Sequence, residues 1–410
     1  MPGPNSVQLD EQLLSPAFFT DPYAVHRRLR AEAPVHWCEP WNCWIISRYD
    51  DVTAGLRQDG RQFSVVGQFG SYLNALPEAD RPRFEPLKQH FSIGLLHSDP
   101  PDHTRLRGLI NQAFTPRVVE RMRGRIEATV NALLDAVEGD GGMDVIQDFA
   151  FHLPAIITAE VVGMPPEDRH QFKAWSDDIA SFSASNRMTV EVAERAQRSV
   201  LAVRGYLQEI AAQRRKQPRE DLISRLVDTG DGKERPGEGE LLSTCVTFMV
   251  GGHETTTALI GSGLLALLRN PEQLDRLRAE PDAARSAVEE FLRYESPNQR
   301  IIRLVKEDFE LQGRQIRRGQ RVMFLLGAAN RDPAQFPEPD RLDVCREPNR
   351  HIAFGLGPHF CIGAPLARLE AEVAFSALLR RFPDLRLAQD SPEWLPSYQL
   401  RLLKSLLVEF

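Results

Sequence analysis

Cys361 lies in a segment whose other residues could turn a thiol into a metal ligand. The segment, FGLGPHFCIG from Phe354 to Gly363, contains three glycines, two phenylalanines and a histidine beside the cysteine. A cysteine binds a metal as the thiolate, which needs positive charge or hydrogen-bond donors close by. The residues that follow predict a helix, and the unpaired N–H groups and dipole at a helix N-terminus favour an anion. The segment therefore favours a thiolate at Cys361.

The glycines of this segment leave one side of the cysteine open. Gly357 and Gly363 lack side chains, so backbone N–H groups can approach the sulfur and a flat ligand can lie against the loop. Phe354 and Phe360 would offer aromatic surface to that ligand. The pattern predicts a planar cofactor beside Cys361.

Two simpler interpretations of Cys361 stay open on the residues alone. Most cysteines are small buried hydrophobes, and this one could be another. A zinc site fits less well, because His359 is separated from Cys361 by one residue and the distant Cys345 has no paired CxxC. The five cysteines are too few and scattered for a disulfide framework, and their odd number predicts free thiols.

The elements that would position these residues are mainly helical. Apolar residues at three- and four-residue spacing predict helices over Asp21–Glu32, Thr104–Phe114, Pro116–Val137, Pro165–Ser183, Val190–Arg215, Leu241–Leu268, Pro271–Ala279, Asp282–Tyr294 and Ala364–Phe382. Short antiparallel strands are predicted near VHWCEPWNCWIISR, from Phe309 onward, and at the C-terminus. The predicted fold is one domain over 1–410, mainly α with small antiparallel β-sheets.

Composition excludes several classes of partner. The 410 residues are 42% hydrophobic and carry a formal charge of −7, so the chain lacks the basic excess that nucleic acid or an anionic membrane attracts. The N-terminal residues contain neither a signal peptide nor an anchor, which predicts a cytoplasmic protein. The apolar run Leu241–Leu268 has His253 and Glu254 at its middle, so it predicts a buried core helix rather than a membrane span.

The segment FGLGPHFCIG resembles the haem-binding loop of the cytochrome P-450 family, Phe-x-x-Gly-x-x-x-Cys-x-Gly, with histidine or arginine two residues before the cysteine. The resemblance implies that Cys361 is the axial thiolate of haem b, with Phe354, His359 and Gly363 in the cofactor site. It implies a single cytochrome P-450 domain in which haem lies between the long central helix and the cysteine loop.

A second motif of the family lies in AVEEFLRYESP. Glu290 and Arg293, at i and i+3, could form a salt bridge, which on its own would be an exposed pair of small value. The resemblance implies a structural triad, completed by Arg341 in FPEPDRLDVCR, that ties the haem loop to the core.

The third motif is VGGHETTT in the long apolar helix. Glycine and threonine are poor helix formers, which predicts a local bend, and a buried Glu254 is costly unless it is hydrogen-bonded, protonated or functional. The resemblance implies an oxygen-binding groove in which Gly251 and Gly252 leave a gap. Glu254 would be its acid and Thr255 its alcohol.

Four cationic residues match the family's contacts to the haem propionates. They are His103 and Arg107, at i and i+4 at the start of a predicted helix, with Arg303 and His359. A solvated basic face is the alternative for each of them singly.

The resemblance implies substrate-facing parts at 64–98, 181–187, 247–251, 298–302 and 397–400, with Thr247, Val250, Gln299 and Ile301 as pocket residues. Apolar residues in the first of these, among them Val65, Val66, Phe69 and Tyr72, predict a lipophilic substrate, such as a polyketide, a terpenoid or a fatty acid. The same residues could simply pack the loop.

The implied reaction is hydroxylation or epoxidation by a monooxygenase, with dioxygen as oxidant and electrons from NAD(P)H. Soluble bacterial members of the family receive their electrons from a ferredoxin and its reductase. Five arginines could offer a docking face for an acidic donor, with plain solubility as the alternative: Arg105, Arg117, Arg121, Arg123 and Arg125.

Two other functions are compatible with the same scaffold. One is a peroxide-driven haem oxygenase, whose members tend to lack the acid–alcohol pair found here. The other is a haem protein that senses gas without turnover, which would need no proton relay at Glu254 and Thr255.

Overall fold

The computed structural model describes residues 4–68, 70–165, 168–184, 188–227 and 235–410. The chain divides into two compact units. Unit 1 comprises the described residues of Met1–Ser64, Arg123–Leu153 and Thr255–Phe410, and unit 2 those of Val65–Met122 and Pro154–Glu254. The single-domain organisation expected from the sequence stays a prediction.

Helices account for most of the described chain. In chain order they are α1 Pro4–Leu14, α2 Pro16–Thr20, α3 Tyr23–Glu32, α4 Tyr49–Arg57, α5 Gly70–Leu73, α6 Glu85–His90, α7 Asp102–Ala113, α8 Pro116–Glu120, α9 Arg123–Asp135, α10 His152–Val162, α11 Arg169–Ala184, α12 Val190–Lys216, α13 Leu222–Val227, α14 Glu238–Leu268, α15 Pro271–Ala279, α16 Ala284–Tyr294, α17 Leu326–Ala329 and α18 Ala364–Arg381. Short 3-10 turns lie at Arg81–Phe84, Leu95–His97, Glu138–Asp140, Pro281–Ala283 and Gly357–His359, and a π turn at Val145–Ala150.

Local sequence explains where several helices begin and end. The hydroxyl of Thr189 accepts a hydrogen bond from the backbone N–H of Val192, which satisfies an unpaired donor at the start of α12. That helix ends in Arg214, Arg215 and Lys216, which complement the negative end of its dipole. The predicted helix Pro116–Val137 is two helices, α8 and α9, and Gly124, a poor helix former, lies at the start of the second.

All strands of the described residues belong to unit 1. They are β1 Val35–Cys38, β2 Cys43–Ile46, β3 Phe63–Ser64, β4 Gly142–Asp144, β5 Arg300–Val305, β6 Phe309–Leu311, β7 Arg314–Ile316, β8 Arg321–Leu325, β9 Arg386–Leu387 and β10 Leu407–Glu409. They form a sheet of order β1-β2-β8-β5-β3, a second of order β4-β10-β9, and the hairpin β6-β7.

The largest sheet corrects the expectation of purely antiparallel sheets. β2 pairs with β8 in parallel, Cys43 opposite Arg321 and Ile46 opposite Phe324, whereas its other pairs are antiparallel. Parallel pairing needs a long connection between the two strands, and most of the chain lies between these two. One face of the sheet packs under α1–α3 in a core that includes Leu9, Leu13, Leu29, Ile45 and Met323.

Several helices of unit 2 pack on α12. This helix lies along α11 and also contacts α6 and α13. At its end the buried Arg214 binds Asp221 through Nε (2.6 Å) and the carbonyl of Gly163 through Nη2 (2.7 Å). These bonds fix the ends of α10 and α12 and the start of α13.

Helix α14 runs without interruption from Glu238 to Leu268, and contributes residues to both units. Among the described helices, one stretch, Val145–Val162, has the length and hydropathy of a possible membrane span, but 61% of it is buried in the protein. Cores of globular proteins contain such helices, so this is weak evidence for a span.

Candidate active site

The Cys361 loop lies in unit 1, between a 3-10 turn and helix α18. Cys361 is half-buried, and its backbone N–H donates to the carbonyl of Phe354 at 2.9 Å. The rings of Phe354 and Phe360 meet edge to face with centroids 6.2 Å apart. α18 begins at Ala364, three residues after the cysteine. The loop therefore presents the thiol at the N-terminal end of a long helix.

Two glycines shape this loop. Gly357 has φ +75°, and a Cβ there would lie 2.4 Å from the carbonyl oxygen of Leu56 in α4. A Cβ on Gly363 would lie 3.8 Å from the Cys361 Sγ, so a larger side chain at this position would stand against the sulfur. Gly363 fits the expectation of a bare side next to the sulfur, whereas Gly357 instead permits close packing of the loop on α4.

Cys361 is less buried than three of the other four cysteines. Cys38, Cys43 and Cys245 are buried, whereas Cys345 and Cys361 are half-buried. Burial raises the pKa of Cys43 and of Cys245 to about 12, so these two stay protonated and inert.

Glu290 and Arg293 form a completely buried ion pair. Arg293 Nε lies 2.7 Å from Glu290 Oε2 and Nη2 lies 2.8 Å from Oε1, and neither side chain is exposed. The other N–H groups of Arg293 donate to the carbonyls of Asn330, Pro339 and Arg341. The pair therefore holds the segment that follows α17 onto α16.

The prediction that the Arg341 side chain completes this triad is wrong. Arg341 points outward to Glu338 (3.0 Å) with 60% of its side chain exposed. Arg346, five residues later, donates from Nε to both Glu290 oxygens at 3.1 Å. The chain from Arg341 to Arg346 passes around the Glu290–Arg293 pair. The Arg341 carbonyl accepts a hydrogen bond from Arg293, and the Arg346 guanidinium donates to Glu290.

Arg303 is held by an acidic neighbour that the sequence did not indicate. Its Nε and Nη2 each donate to Asp59 at 2.8 Å, and both side chains are buried. Its place at a haem propionate stays a prediction, with Asp59 as a competing partner. His359 is half-buried in the 3-10 turn before Cys361.

In unit 2, His103 and Arg107 lie one turn apart on α7, the first buried and the second half-buried. The helix and the spacing agree with the expectation. A role of either residue as a propionate contact stays a prediction.

Glu254 is half-buried on α14 and faces charged residues of α11. Burial, the larger cause, and the charge of Asp177 raise its pKa to about 7, against an opposing effect of Lys173. Lys173 Nζ and Asp177 Oδ2 form an ion pair at 2.6 Å. The Lys173 side chain is 43% exposed and that of Asp177 is 42% exposed. Glu254 can thus hold and release a proton near neutral pH, beside groups that reach solvent.

The two glycines before it differ in role. A Cβ on Gly251 would meet no atom within 4 Å, so this position opens onto space, as expected. A Cβ on Gly252 would lie 2.8 Å from the Thr158 Oγ1, so Gly252 instead permits close packing of α14 on α10. The expected gap therefore belongs to Gly251.

The predicted pocket residues differ in where their side chains lie. Ile301 is half-buried, and its Cδ1 lies 3.3 Å from where a Cβ would stand on Gly355 of the cysteine loop. The Gln299 side chain instead faces the core, where Nε2 donates to the carbonyl of Ser296 (2.7 Å). Thr247 and Val250 are half-buried on α14, and the Thr247 hydroxyl donates to the Ser243 carbonyl.

Aromatic rings join two of the expected substrate-facing segments in unit 2. Phe182 of α11 stacks on Phe91 (4.9 Å) and meets Tyr72 edge to face (6.3 Å). Val65 is buried, whereas Val66 is 49% exposed. Phe69 and residues 185–187, which the prediction also named, lie outside the described residues.

The basic residues expected to meet an electron donor are partly neutralised. Arg105 pairs with Glu240 in unit 2, and Arg123 pairs with Glu372 in unit 1 (3.0 Å). Arg117, Arg121 and Arg125 are exposed. Ion pairing at Arg105 and Arg123 is a tertiary feature that their sequence spacing does not reveal.

Other residues near the site were not anticipated. Glu289 binds Arg368 of α18 and His351, and the Arg368 guanidinium lies over the ring of Phe354. The only local signal is that a further glutamate, Glu289, directly precedes the Glu290 of the motif.

Comparison with known proteins identifies the family of this chain. The family model described as Cytochrome P-450 matches residues 73–403. The polyketide biosynthesis cytochrome P-450 PksS of Bacillus subtilis (strain 168) is 40% identical over 95% of this chain and 96% of its own length. The cytochrome P-450 monooxygenase PikC of Streptomyces venezuelae is 40% identical over 97% of this chain and 93% of its own.

A solved structure extends the likeness to three dimensions. A P-450 named BioI, in complex with an acyl carrier protein carrying hexadec-9Z-enoic acid, has a TM-score of 0.89 and 38% identity, and covers 97% of this chain and all of that one. The match spans both units. The chain therefore belongs to the cytochrome P-450 family and is an oxidoreductase of that family.

Proposed function

We propose that this chain is a haem-thiolate monooxygenase in which Cys361 ligates the haem iron and Glu254 with Thr255 delivers protons. The observation that carries the proposal is the half-buried Cys361 thiol at the N-terminal end of α18, with Gly363 beside its sulfur. When bound, haem with a thiolate ligand supplies the activation of dioxygen.

The residues present fit a planar group at this place. Gly363 keeps the loop free of a side chain beside the Cys361 sulfur, Gly357 lets the loop pack against the Leu56 carbonyl of α4, and Phe354 and Phe360 offer aromatic surface. Ile301, which touches the loop at Gly355, adds an apolar contact. These side chains would hold the group, and Cys361 would supply its axial sulfur.

Glu254 and Thr255 would manage protons. With its pKa near 7, Glu254 can take a proton from the solvent side, where Lys173 and Asp177 lie, and pass it on through the neighbouring hydroxyl of Thr255. Gly251 leaves space on the same helix for a small molecule such as dioxygen. This division of roles distinguishes a monooxygenase from a peroxide-driven enzyme or a gas sensor.

The substrate we propose is a polyketide or a long-chain acyl compound. Val66 (49% exposed) and Leu96 (46% exposed) offer apolar surface in the segment expected to face substrate. PksS belongs by its name to polyketide biosynthesis, and BioI was solved with a fatty-acyl carrier protein. The protein can be titrated with macrolactones, with free fatty acids and with acyl carrier protein thioesters while the haem absorption spectrum is recorded. The compound that changes the spectrum at the lowest concentration would identify the substrate class.

Electrons are proposed to come from NAD(P)H through a ferredoxin reductase and a ferredoxin. The exposed Arg117 and Arg121 of unit 2 would attract the acidic donor. A cytoplasmic location stays a prediction.

The first test is the absorption spectrum of the dithionite-reduced, carbon-monoxide-bound protein. We expect a strongly red-shifted Soret band in the wild type, retained in Cys345→Ser and lost in Cys361→His. Cys345 is the matched control because it is the other half-buried cysteine. A wild type without the shifted band, or a Cys361→His variant that keeps it, would overturn the assignment.

A further inference from the structure

The ring of Phe354 is held from outside the cysteine loop. The Arg368 guanidinium carbon of α18 lies 4.6 Å from the centroid of this ring, within cation–π range. The carbonyl of Phe354 accepts the Cys361 N–H (2.9 Å), and its ring meets Phe360, which precedes the cysteine. A displacement of Phe354 would therefore reach Cys361 through two contacts.

Arg368 is itself fixed by a bidentate ion pair. Its Nε lies 2.6 Å from Glu289 Oε1 and its Nη2 2.8 Å from Oε2, the planar arrangement that only arginine can make. Burial works to raise the pKa of Glu289, but hydrogen bonds from His351 and Arg368 bring it to about 2. The carboxylate therefore stays charged, and the guanidinium has one orientation over the ring.

His351 completes this arrangement from the other side of the Glu289 carboxylate. Its Nε2 lies 3.0 Å from Glu289 Oε2, and its Nδ1 lies 3.2 Å from the backbone N–H of Ala353. An N–H donates, so Nδ1 accepts from Ala353 while Nε2 faces the Glu289 carboxylate. His351 thus links the carboxylate to the residue directly before Phe354.

A plain ion pair between α16 and α18 would need neither the ring nor the histidine. Glu290, the next residue on α16, already binds Arg293 and Arg346 and holds a different segment. Glu289 instead directs both of its partners to Phe354, one over the ring and one to the backbone before it.

We propose, on the basis of the Cys361–haem bond proposed above, that Glu289, Arg368 and His351 are positioning residues that orient Phe354. Through Phe354 they fix the Cys361 loop and set the electrostatic potential at its sulfur. They thereby tune the reduction potential of the haem through the loop.

The charges predict opposite effects for the two ionic partners. Arg368→Leu removes a positive charge and leaves the Glu289 carboxylate, which favours the oxidised haem and lowers the potential. Glu289→Gln leaves the guanidinium uncompensated, which favours the reduced haem and raises the potential. One unit charge inside a protein is expected to change the ratio of reduced to oxidised haem by roughly fivefold.

The test is a spectroelectrochemical titration of the substrate-free holoenzyme, with thermal unfolding recorded for each variant. We expect a lower potential for Arg368→Leu, a higher one for Glu289→Gln and an intermediate one for the double variant. Arg368→Lys keeps the charge but not the planar fork, so its potential should stay closer to the wild type. Its carbon-monoxide complex should lose the red-shifted Soret band more readily on warming.

Arg381→Leu is the matched control. Arg381 is on the same helix and is also paired with two acidic residues, Asp135 and Glu138, but it lies about 20 Å further along the helix axis. Shifts of one sign in both ionic variants, or shifts no larger than that of Arg381→Leu, would overturn the positioning role while leaving the haem assignment intact. A wild type without a red-shifted carbon-monoxide band would overturn both.

Discussion

Arg346 reaches Glu290 across 56 residues and donates from Nε to both of its carboxylate oxygens at 3.1 Å. The Glu290 side chain is completely buried and that of Arg346 is 10% exposed. Arg341, the arginine that the motif singles out, is 60% exposed. The anchor of this region is therefore Glu290 with Arg293 and Arg346.

We expect Arg346→Ala to lower the free energy of unfolding by about 2–3 kcal/mol, because it leaves a buried carboxylate with fewer charged donors. Arg341→Ala should change it by less than about 0.5 kcal/mol, as at most exposed positions. Urea unfolding of the holoenzyme measures both. Equal effects of the two substitutions would contradict the anchor.

A second prediction concerns the proton held by Glu254. Asp177→Asn removes a neighbouring negative charge and should lower the pKa of Glu254 from about 7, and Lys173→Met removes a positive charge and should raise it. The pH at which product formation per electron is half-maximal should move in opposite directions in the two variants. If this pH moved in the same direction in both variants, Glu254 would not govern proton delivery.

The same pKa predicts a contribution to stability. A carboxyl whose pKa rises from 4.5 to about 7 on folding binds more protons in the folded state, so its contribution is complete below pH 4.5 and is lost as pH rises through 7. Glu254→Gln should remove this fall between pH 4.5 and about pH 7, the window between the two values. Unfolding curves of the wild type and of Glu254→Gln across this pH range give the two free energies of unfolding to compare.

Thr255→Ala should break the link between electron consumption and product. We expect NAD(P)H oxidation to continue while product per electron falls by about tenfold and hydrogen peroxide accumulates, because the hydroxyl next to Glu254 is gone. Thr255→Ser keeps a hydroxyl and should stay close to the wild type. An unchanged yield in Thr255→Ala would favour a peroxide-driven enzyme.

Gly357 offers a test of loop geometry. Gly357→Ala must adopt φ +75° and place its Cβ 2.4 Å from a backbone oxygen, so we expect loss of haem and of stability. Gly313 has φ +73° but no atom within 4 Å of a Cβ, so Gly313→Ala should cost only about 1–2 kcal/mol. Haem content after purification would distinguish the two; full haem in Gly357→Ala would speak against a tight loop.

Charge reversal tests docking of the electron donor. Arg117→Glu and Arg121→Glu should slow reduction by an acidic ferredoxin about fivefold at low salt and much less at high salt. Arg198→Glu, an exposed site on α12, is the control. Unchanged reduction rates in both docking variants at low salt would remove this surface from consideration.

Much of this molecule could be predicted from local sequence. α15 has the predicted bounds Pro271–Ala279, and the Glu290–Arg293 pair follows from i, i+3 spacing on one helix. The partners Asp59, Arg346 and Asp177 lie far from their targets in the chain. Only the folded path of the loops brings them close, so no spacing rule indicates them.

The pairing of β2 with β8 has a consequence for synthesis. The hairpin that contains β2 leaves the ribosome early, but its partner strand emerges about 280 residues later, which at cellular speeds is roughly 15–50 s. During that time an apolar strand edge, CWII, has no permanent partner and is open to pairing with other nascent chains. Yield in a host cell should therefore depend on chaperone supply and translation rate as well as on the stability of the finished protein.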